Sequence, residues 1–355
     1  MRSRLSARFT SHVTLQALPF AAIAAVTVID LMAGTTLGFL PLLTLGPTFA
    51  SVYGGVRRTF VVGGVAILVC LPLSLYNDVL GRWQGYVILA TIAAVTGASM
   101  LAARLRLRRE RELADVRRVA EAAQRVLLRP VPRRAGDLAI ALSYTSAVAE
   151  ARIGGDLYEV VTTPYGVRLL IGDVQGKGLE AVETAAWVLG AFREAAYDEP
   201  GLLAVSARLE ATLERQLDEE AFVTAILAEV DDGGIHLLNH GHPPPLLLGH
   251  DGSVQKVEPP EEGLALGLAS LGPGEPKPQR VPFVDGDQLL FYTDGVIEAR
   301  DPGGAFYPLD ERVQVLLSRD PQDALDDLRA DLVEHVGGPL LDDAAMLLLH
   351  RQQAA

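Results

Sequence analysis

At four places, aspartates stand where apolar runs meet small residues. GGDLYE sets Asp156 behind two glycines, VRLLIGD ends an apolar run in Asp173, QLLFYTDG ends another in Asp294, and LLDDAAMLLL opens a last one with Asp342 and Asp343. Singly, each is an ordinary turn signal, because Gly-Asp and Asp-Gly pairs are common wherever a strand reverses. Together, four carboxylates at strand ends are what a pair of hard divalent cations requires: oxygen ligands, with several waters retained. Two such ions about 3.5–4 Å apart can bridge and deprotonate a water and stabilise an in-line displacement at phosphorus. If the four converge at one sheet edge, the chemistry on offer is metal-assisted phosphate hydrolysis.

The stretch LLIGDVQGKGLEA invites a different reading, as a phosphate-cradling loop. Its spacing excludes that. A phosphate loop of the Walker type needs G-x-x-x-x-G-K-[ST], whereas only three residues separate Gly172 from Gly176, and Gly178 stands where a hydroxyl would hold magnesium. What remains is an apolar strand that delivers Asp173 at its carboxyl end. The neighbours are small enough for the following backbone carbonyl to approach a metal.

The elements that must position these acids follow Pro132, where short apolar strands alternate with Gly/Pro/Asp turns. DLAIALSYTSA reads as a strand, and DLYEVVTTPYGVRLLIGD as a hairpin turning at Pro164-Tyr165-Gly166. Helices are expected over about 178–198 and 201–217. FVTAILAEVDDGGIHLLN and PPLLLGHDGSVQKVE give two further hairpins. QLLFYTDGVIEA, helices near 309–318 and 321–336, and a closing strand AAMLLLH complete the set. Strands gathered around a block of helices indicate an α+β layered domain and not an alternating parallel sheet.

Composition separates this domain from what precedes it. The chain is 49% hydrophobic with a net charge of −13, which is contradictory for a uniform globule. Up to Arg111 there are 11 basic and 3 acidic residues; the other 20 basic and 41 acidic residues follow. An acidic rear repels a phosphate backbone and argues against nucleic-acid binding. The single cysteine, Cys70, lies in an apolar run and supports neither a disulfide framework nor a thiolate metal site. Four windows in the basic front, about 14–33, 36–54, 59–76 and 85–103, are long and apolar enough to cross a bilayer. Arginines cluster before the first window, between the second and third, and after the fourth, and only Arg82 lies in the alternate loops. Both ends are therefore expected in the cytoplasm. Asp30 sits near the outer end of the first window, at an interfacial depth.

The expected organisation is a transmembrane all-α domain of about four helices over 1–103, a helical linker over 104–132 and a catalytic domain over 133–355. In the linker, Leu113, Val116, Ala120, Ala123 and Leu127 recur at spacings of 3, 4, 3 and 4. That is a coiled-coil seam of about two heptads. It either pairs with a second copy, giving a homodimer, or packs on the chain's own catalytic domain.

From about residue 120 to 350 the motifs AQRVLLRPVP, IGGDLYE, IGDVQGKG, NHGHPPPLLL, LLFYTDGVIEA and DDAAMLLL stand in the order of a known family. In these the chain resembles the stage II sporulation protein E family of metal-dependent protein phosphatases, the bacterial branch with a protein phosphatase 2C-like fold. The resemblance implies a two-layered antiparallel β-sandwich flanked by helices, with removal of phosphate from phosphoserine or phosphothreonine by a metal-activated water. It implies two divalent cations, Mn2+ or Mg2+. Asp173 would bridge them, the Val174 carbonyl would complete one shell, and Asp156, Asp294 and Asp342 would be the other carboxylate ligands, with Asp343 a neighbouring support. His242, in the family's Asn-x-Gly-His motif, either assists substrate and leaving group or ties down the Pro-rich turn with Asn239. Lys177 is the candidate to attract the substrate phosphate, and Arg152 lies nearest the place of the phosphate-binding arginine of the eukaryotic branch. Glu159 and His240 depart from the usual aspartate and alanine without removing a ligand.

The expected function is thus a membrane-anchored serine/threonine phosphatase acting on a cytoplasmic phosphoprotein. The family points to a STAS-type anti-sigma antagonist as that phosphoprotein. The alternative is a catalytically silent membrane sensor or scaffold that uses the same domain to bind partners.

Overall fold

The computed structural model describes residues 2–33, 38–145, 155–216, 221–231, 233–272, 276–318 and 320–352. They form two compact units, Met1–Asp115 and Val116–Ala355.

The first unit is helical: α1 (Arg2–Ala33), a 3-10 turn (Leu40–Thr44), α2 (Leu45–Tyr53), α3 (Val56–Tyr76) and the first part of α4 (Trp83–Leu127). Ile23, Val26, Leu43, Val62, Ala66 and Ile92 make its core. Two of its helices, α3 and α4, are long and apolar enough to cross a membrane. Of the other two expected windows, the first lies within α1, where Ala17–Ala33 is a shorter apolar stretch among the described residues. The second takes a different form, a 3-10 turn running into the nine-residue α2. At about 1.5 Å per residue, α2 is roughly 14 Å long, short of the ~30 Å hydrocarbon layer. Pro41 starts the turn and Gly46-Pro47 follow it, which breaks the window into two short pieces. Asp30 is buried here and accepts from Asn77 Nδ2 at 2.7 Å and from the Phe39 amide at 3.2 Å.

The second unit is a sandwich of two antiparallel sheets. One has the order β1 (Arg134–Ala135), β2 (Leu138–Thr145), β11 (Ala344–Arg351), β10 (Gln288–Tyr292), β7 (Leu246–Leu248), β8 (Val254–Lys256). The other has β3 (Asp156–Thr163), β4 (Gly166–Val174), β5 (Val223–Asp231), β6 (Gly234–His240), β9 (Gln279–Val281). Alternation along each strand decides which layer a residue enters. Leu169, Ile171, Leu289, Phe291, Leu347 and Leu349 point between the sheets. On the outer face of the second sheet, Leu157 and Leu170 meet α5 (Leu179–Asp198) and α6 (Leu202–Leu213). Outside the first sheet, Leu290, Tyr292 and Leu348 meet α9 (Pro321–Val336). Buried on both faces, these strands read as unbroken apolar runs.

Several elements differ from expectation. β1 and β9 span two and three residues, too short for a periodic signal, and the stretch near 309–318 divides into α8 (Leu309–Arg312) and a 3-10 segment (Val313–Ser318). The linker seam divides as well. Ala120, Ala123 and Leu127 pack with Val182 of α5, while Leu113 and Val116 stay exposed.

Candidate metal centre

Strand register brings the first two acids together. β3 and β4 pair so that Asp156 lies directly opposite Asp173. Asp294 begins α7 (Asp294–Ile297), a single turn that leaves the end of β10, and Asp342 and Asp343 immediately precede β11. Each sheet thus contributes a pair of chain ends to one edge of the sandwich. Asp156, Asp173 and Asp294 each offer a carboxylate oxygen within 4.8 Å of the others.

Two glycines make this approach possible. A Cβ on Gly155 would overlap the Val174 carbonyl oxygen and lie 2.6 Å from Asp173 Oδ1; on Gly295 it would overlap the Asp343 carbonyl oxygen. Gly155 also accepts the Val174 amide at 3.1 Å. Only a residue without a side chain lets these backbones pass so close.

Thr293 ties the sheets together at this edge. Its hydroxyl donates to Asp156 Oδ2 at 2.9 Å and accepts the Ala345 amide at 3.0 Å. Asp343 is buried and accepts from Tyr144, whereas the half-exposed Asp342 pairs with Lys177 Nζ at 2.6 Å and stands outside the group of three.

Burial dominates the electrostatics, and crowding of like charges adds to it. Burial, then the neighbouring Asp294 and Asp342, push the Asp173 carboxyl up to about 7, against a partial counter-effect of Lys177. Burial and Asp173 raise Asp156 well above the carboxylate range despite the Thr293 hydrogen bond, and burial with Glu298 and Asp342 raises Asp294. Buried acids that also hinder one another's ionisation form a site that a divalent cation would relieve. The donors are all oxygens, set around a cradle that a single Cβ would fill, so the residues fit hard cations such as Mn2+ or Mg2+.

His242 is placed otherwise than a proton donor to substrate requires. Its Nε2 bonds the Tyr292 carbonyl at 3.1 Å and its Nδ1 the Thr224 hydroxyl at 3.1 Å, while its backbone is clasped by Asn239. A carbonyl only accepts, so Nε2 carries the proton and Nδ1 accepts from Thr224. Burial lowers its pKa to about 4. The imidazole is neutral and joins β5 to β10. His240 is likewise buried, between Ser206 and the Leu264 carbonyl, and Glu159 pairs with Arg193 of α5. Arg152 lies outside the described residues. Thr293 and Tyr144 carried no signal of their own in the sequence, although Thr293 adjoins Asp294 in the YTDG motif.

Two antiparallel sheets between helical layers, with an acidic edge, make a protein phosphatase 2C-like fold. The SiaA-PP2C domain of Pseudomonas aeruginosa has a TM-score of 0.57 at 16% identity, covering 68% of this chain and 98% of that one. The RsbU and RsbW domains of Rv1364c from Mycobacterium tuberculosis give 0.53 at 24% identity, covering 62% and 61%. The phosphatase domain and regulatory fragment of SpoIIE from Bacillus subtilis give 0.52 at 16%, covering 61% and 64%. Residues 163–352, more than half of the chain, match the stage II sporulation protein E (SpoIIE) family, and the chain belongs to that family. Protein IcfG of Synechocystis is 26% identical over 145 residues, 38% of this chain; the chain spans about a fifth (21%) of that relative. The family match takes in Asp173, Asp294 and Asp342; Asp156 lies just before it.

Proposed function

We propose that the chain is a membrane-anchored, metal-dependent serine/threonine protein phosphatase that acts on a cytoplasmic regulatory phosphoprotein. The observation that carries this reading is the convergence of Asp156, Asp173 and Asp294 within 4.8 Å, from strand ends of both sheets. Two divalent cations bound there would supply Lewis acidity and an acidified water. The chain's own part is to hold the ligands. Asp173 lies centrally, with the Val174 carbonyl beside it; Thr293 orients Asp156; Asp294 and Asp342 come from the opposite sheet. Lys177, at the exposed rim, is the cation able to exchange Asp342 for an incoming phosphate.

Membrane anchoring is supported by α3 and α4 and by the apolar side chains Phe60, Leu68, Leu75 and Leu101 that they expose. The arginine distribution supports a multi-pass arrangement with the amino terminus and the phosphatase domain in the cytoplasm. The pairing of RsbU with RsbW domains in the M. tuberculosis relative supports a partner in a regulatory pathway, in line with a STAS-type anti-sigma antagonist. Exposed Val116, Val119 and Val126 on α4 support self-association through the linker.

The test is hydrolysis of p-nitrophenyl phosphate and of a phosphoserine protein by the full chain in detergent, with and without Mn2+. We expect metal-dependent turnover that Asp173→Asn reduces by about a hundredfold or more. Turnover no greater than that of Asp173→Asn would overturn the reading and leave a silent scaffold.

A further inference from the structure

Tyr144 is the last residue but one of β2, at the acidic edge, opposite Ala345 of β11. Its hydroxyl donates to Asp343 Oδ2 at 2.5 Å and accepts from Gln124 Nε2 at 2.9 Å. The direction of this chain is fixed, because a carboxylate accepts only and a phenol has one proton to give. Gln124 is a buried amide on α4, in the stretch whose Ala120 and Leu127 pack on Val182. The tyrosine ring stands 6.1 Å from that of Tyr158, two residues beyond Asp156 on the other sheet. Tyr144 therefore sits between the sheets, with its polar end turned to the acids.

Asp343 has two further attachments. Its carbonyl lies against Gly295, the residue after Asp294, and its amide donates to Asp342 Oδ1 at 2.9 Å. A shift of Asp343 would therefore move the backbone that presents Asp294 and the side chain of Asp342 together. The two acids of the pair are held by different means. Asp342 has a half-exposed lysine, which a cation or a phosphate can displace, while Asp343 has a half-buried neutral donor that leaves the negative charge of the cluster intact.

We infer that Tyr144 is a positioning residue of the metal centre, fixing Asp343 and through it the presentation of Asp294 and Asp342, and that Gln124 holds Tyr144 in that place. The inference rests on the metal-dependent reading above. Outer partners that orient ligands are commonly worth about 10–100-fold in metal affinity.

The test is Mn2+ binding to the full chain in detergent by isothermal titration calorimetry, with thermal unfolding of each metal-free variant alongside. Wild type should bind Mn2+. Tyr144→Phe should bind about 10–100-fold more weakly, and Gln124→Leu should lose affinity in the same direction by less. Adding Asp343→Asn to Tyr144→Phe should cost much less than it does in wild type, since the two act through one bond. A tyrosine that only packs would lower the melting temperature and leave the Mn2+ isotherm unchanged. Wild-type affinity in Tyr144→Phe would overturn the inference while the phosphatase reading stands; if Tyr144→Phe does not fold, wild-type affinity in Gln124→Leu does the same. A wild-type chain that binds no Mn2+ would overturn both.

Discussion

Replacing Asp173 with asparagine should remove Mn2+ binding and yet stabilise the metal-free protein at alkaline pH. The Asp173 carboxyl titrates near 7 in the folded chain against an ordinary value of 3.8, chiefly through burial and then through Asp294 and Asp342. Between about pH 4 and 7 the folded state therefore holds a proton that the unfolded chain has released, and folding stability falls as pH rises across that window. Above it the penalty is complete. A difference of about three units corresponds to ~4 kcal/mol. Asp173 is partly exposed and Lys177 is near, so screening reduces this to about 1–3 kcal/mol, or roughly 2–10 °C in a unit of this size. Asparagine carries no charge to repel. In chelator at pH 8, thermal unfolding should place Asp173→Asn above wild type, with the gap narrowing toward pH 5. With Mn2+ at a hundred times its dissociation constant the order should reverse, since binding adds about 2.7 kcal/mol to wild type alone. An Asp173→Asn protein less stable than wild type in chelator at pH 8, or a gap that does not shrink on acidification, would refute the reasoning.

Thr293→Val leaves Asp156 without its hydroxyl donor and the buried Ala345 amide without its acceptor. It should cost about 1–3 kcal/mol in thermal unfolding and weaken Mn2+ binding in calorimetry, whereas Thr293→Ser should restore both. On α4, Val119 is 64% exposed and Ala120 is fully buried. In membranes, Val119→Cys should form an intermolecular disulfide under mild oxidation and Ala120→Cys should not. The one native cysteine, Cys70, is buried and does not compete. Preferential crosslinking at 120 would reject the proposed self-association face.

Much of the sandwich was legible because its strands are buried on both faces. VRLLIGD, QLLFY and AAMLLLH announce themselves as apolar runs bounded by turns, and the acids mark their ends. Pairing register was not legible: nothing in the sequence states that Asp156 faces Asp173, which depends on the hairpin turning at Pro164-Tyr165 and closing with Thr163 opposite Gly166. The side chains that hold the acids were hidden for another reason. Tyr144 and Gln124 lie twenty residues apart in unremarkable stretches, and their alignment with Asp343 exists only once β2 has paired with β11 and α4 has packed. His242 was visible as part of a motif, but its protonation and its role in joining β5 to β10 follow from which acceptors surround the ring. The linker pattern was visible too. Its heptad spacing could not show that half of the seam is spent on Val182, since the same stripe satisfies a partner helix or a domain surface.

The placement of the acids has a mechanical consequence. Asp156 and Asp173 belong to one sheet and Asp294, Asp342 and Asp343 to the other, so no single hairpin contains the site. Had all the acids lain on β3 and β4, their separations would be set by hydrogen-bonded register and would hardly respond to the rest of the domain. Across two sheets they depend on how the sheets stack, and side-chain packing fixes stacking less rigidly than a ladder of hydrogen bonds fixes register. The repulsion of Asp173 by Asp294 and Asp342, which adds to burial in raising its pKa, acts between the two sheets at this edge. It is opposed there by Thr293, by the contact of Tyr144 with Tyr158, and by the sandwich core beyond. Cation binding and closure of the edge would then be one equilibrium, since ions that drew the acids together would also draw the sheets together. By the same logic, whatever holds the sheets at this end acts on the site. That includes the close of α4, where Gln124 reaches Tyr144 of one sheet and the Leu127 carbonyl accepts from Arg193, the partner of Glu159 on the other.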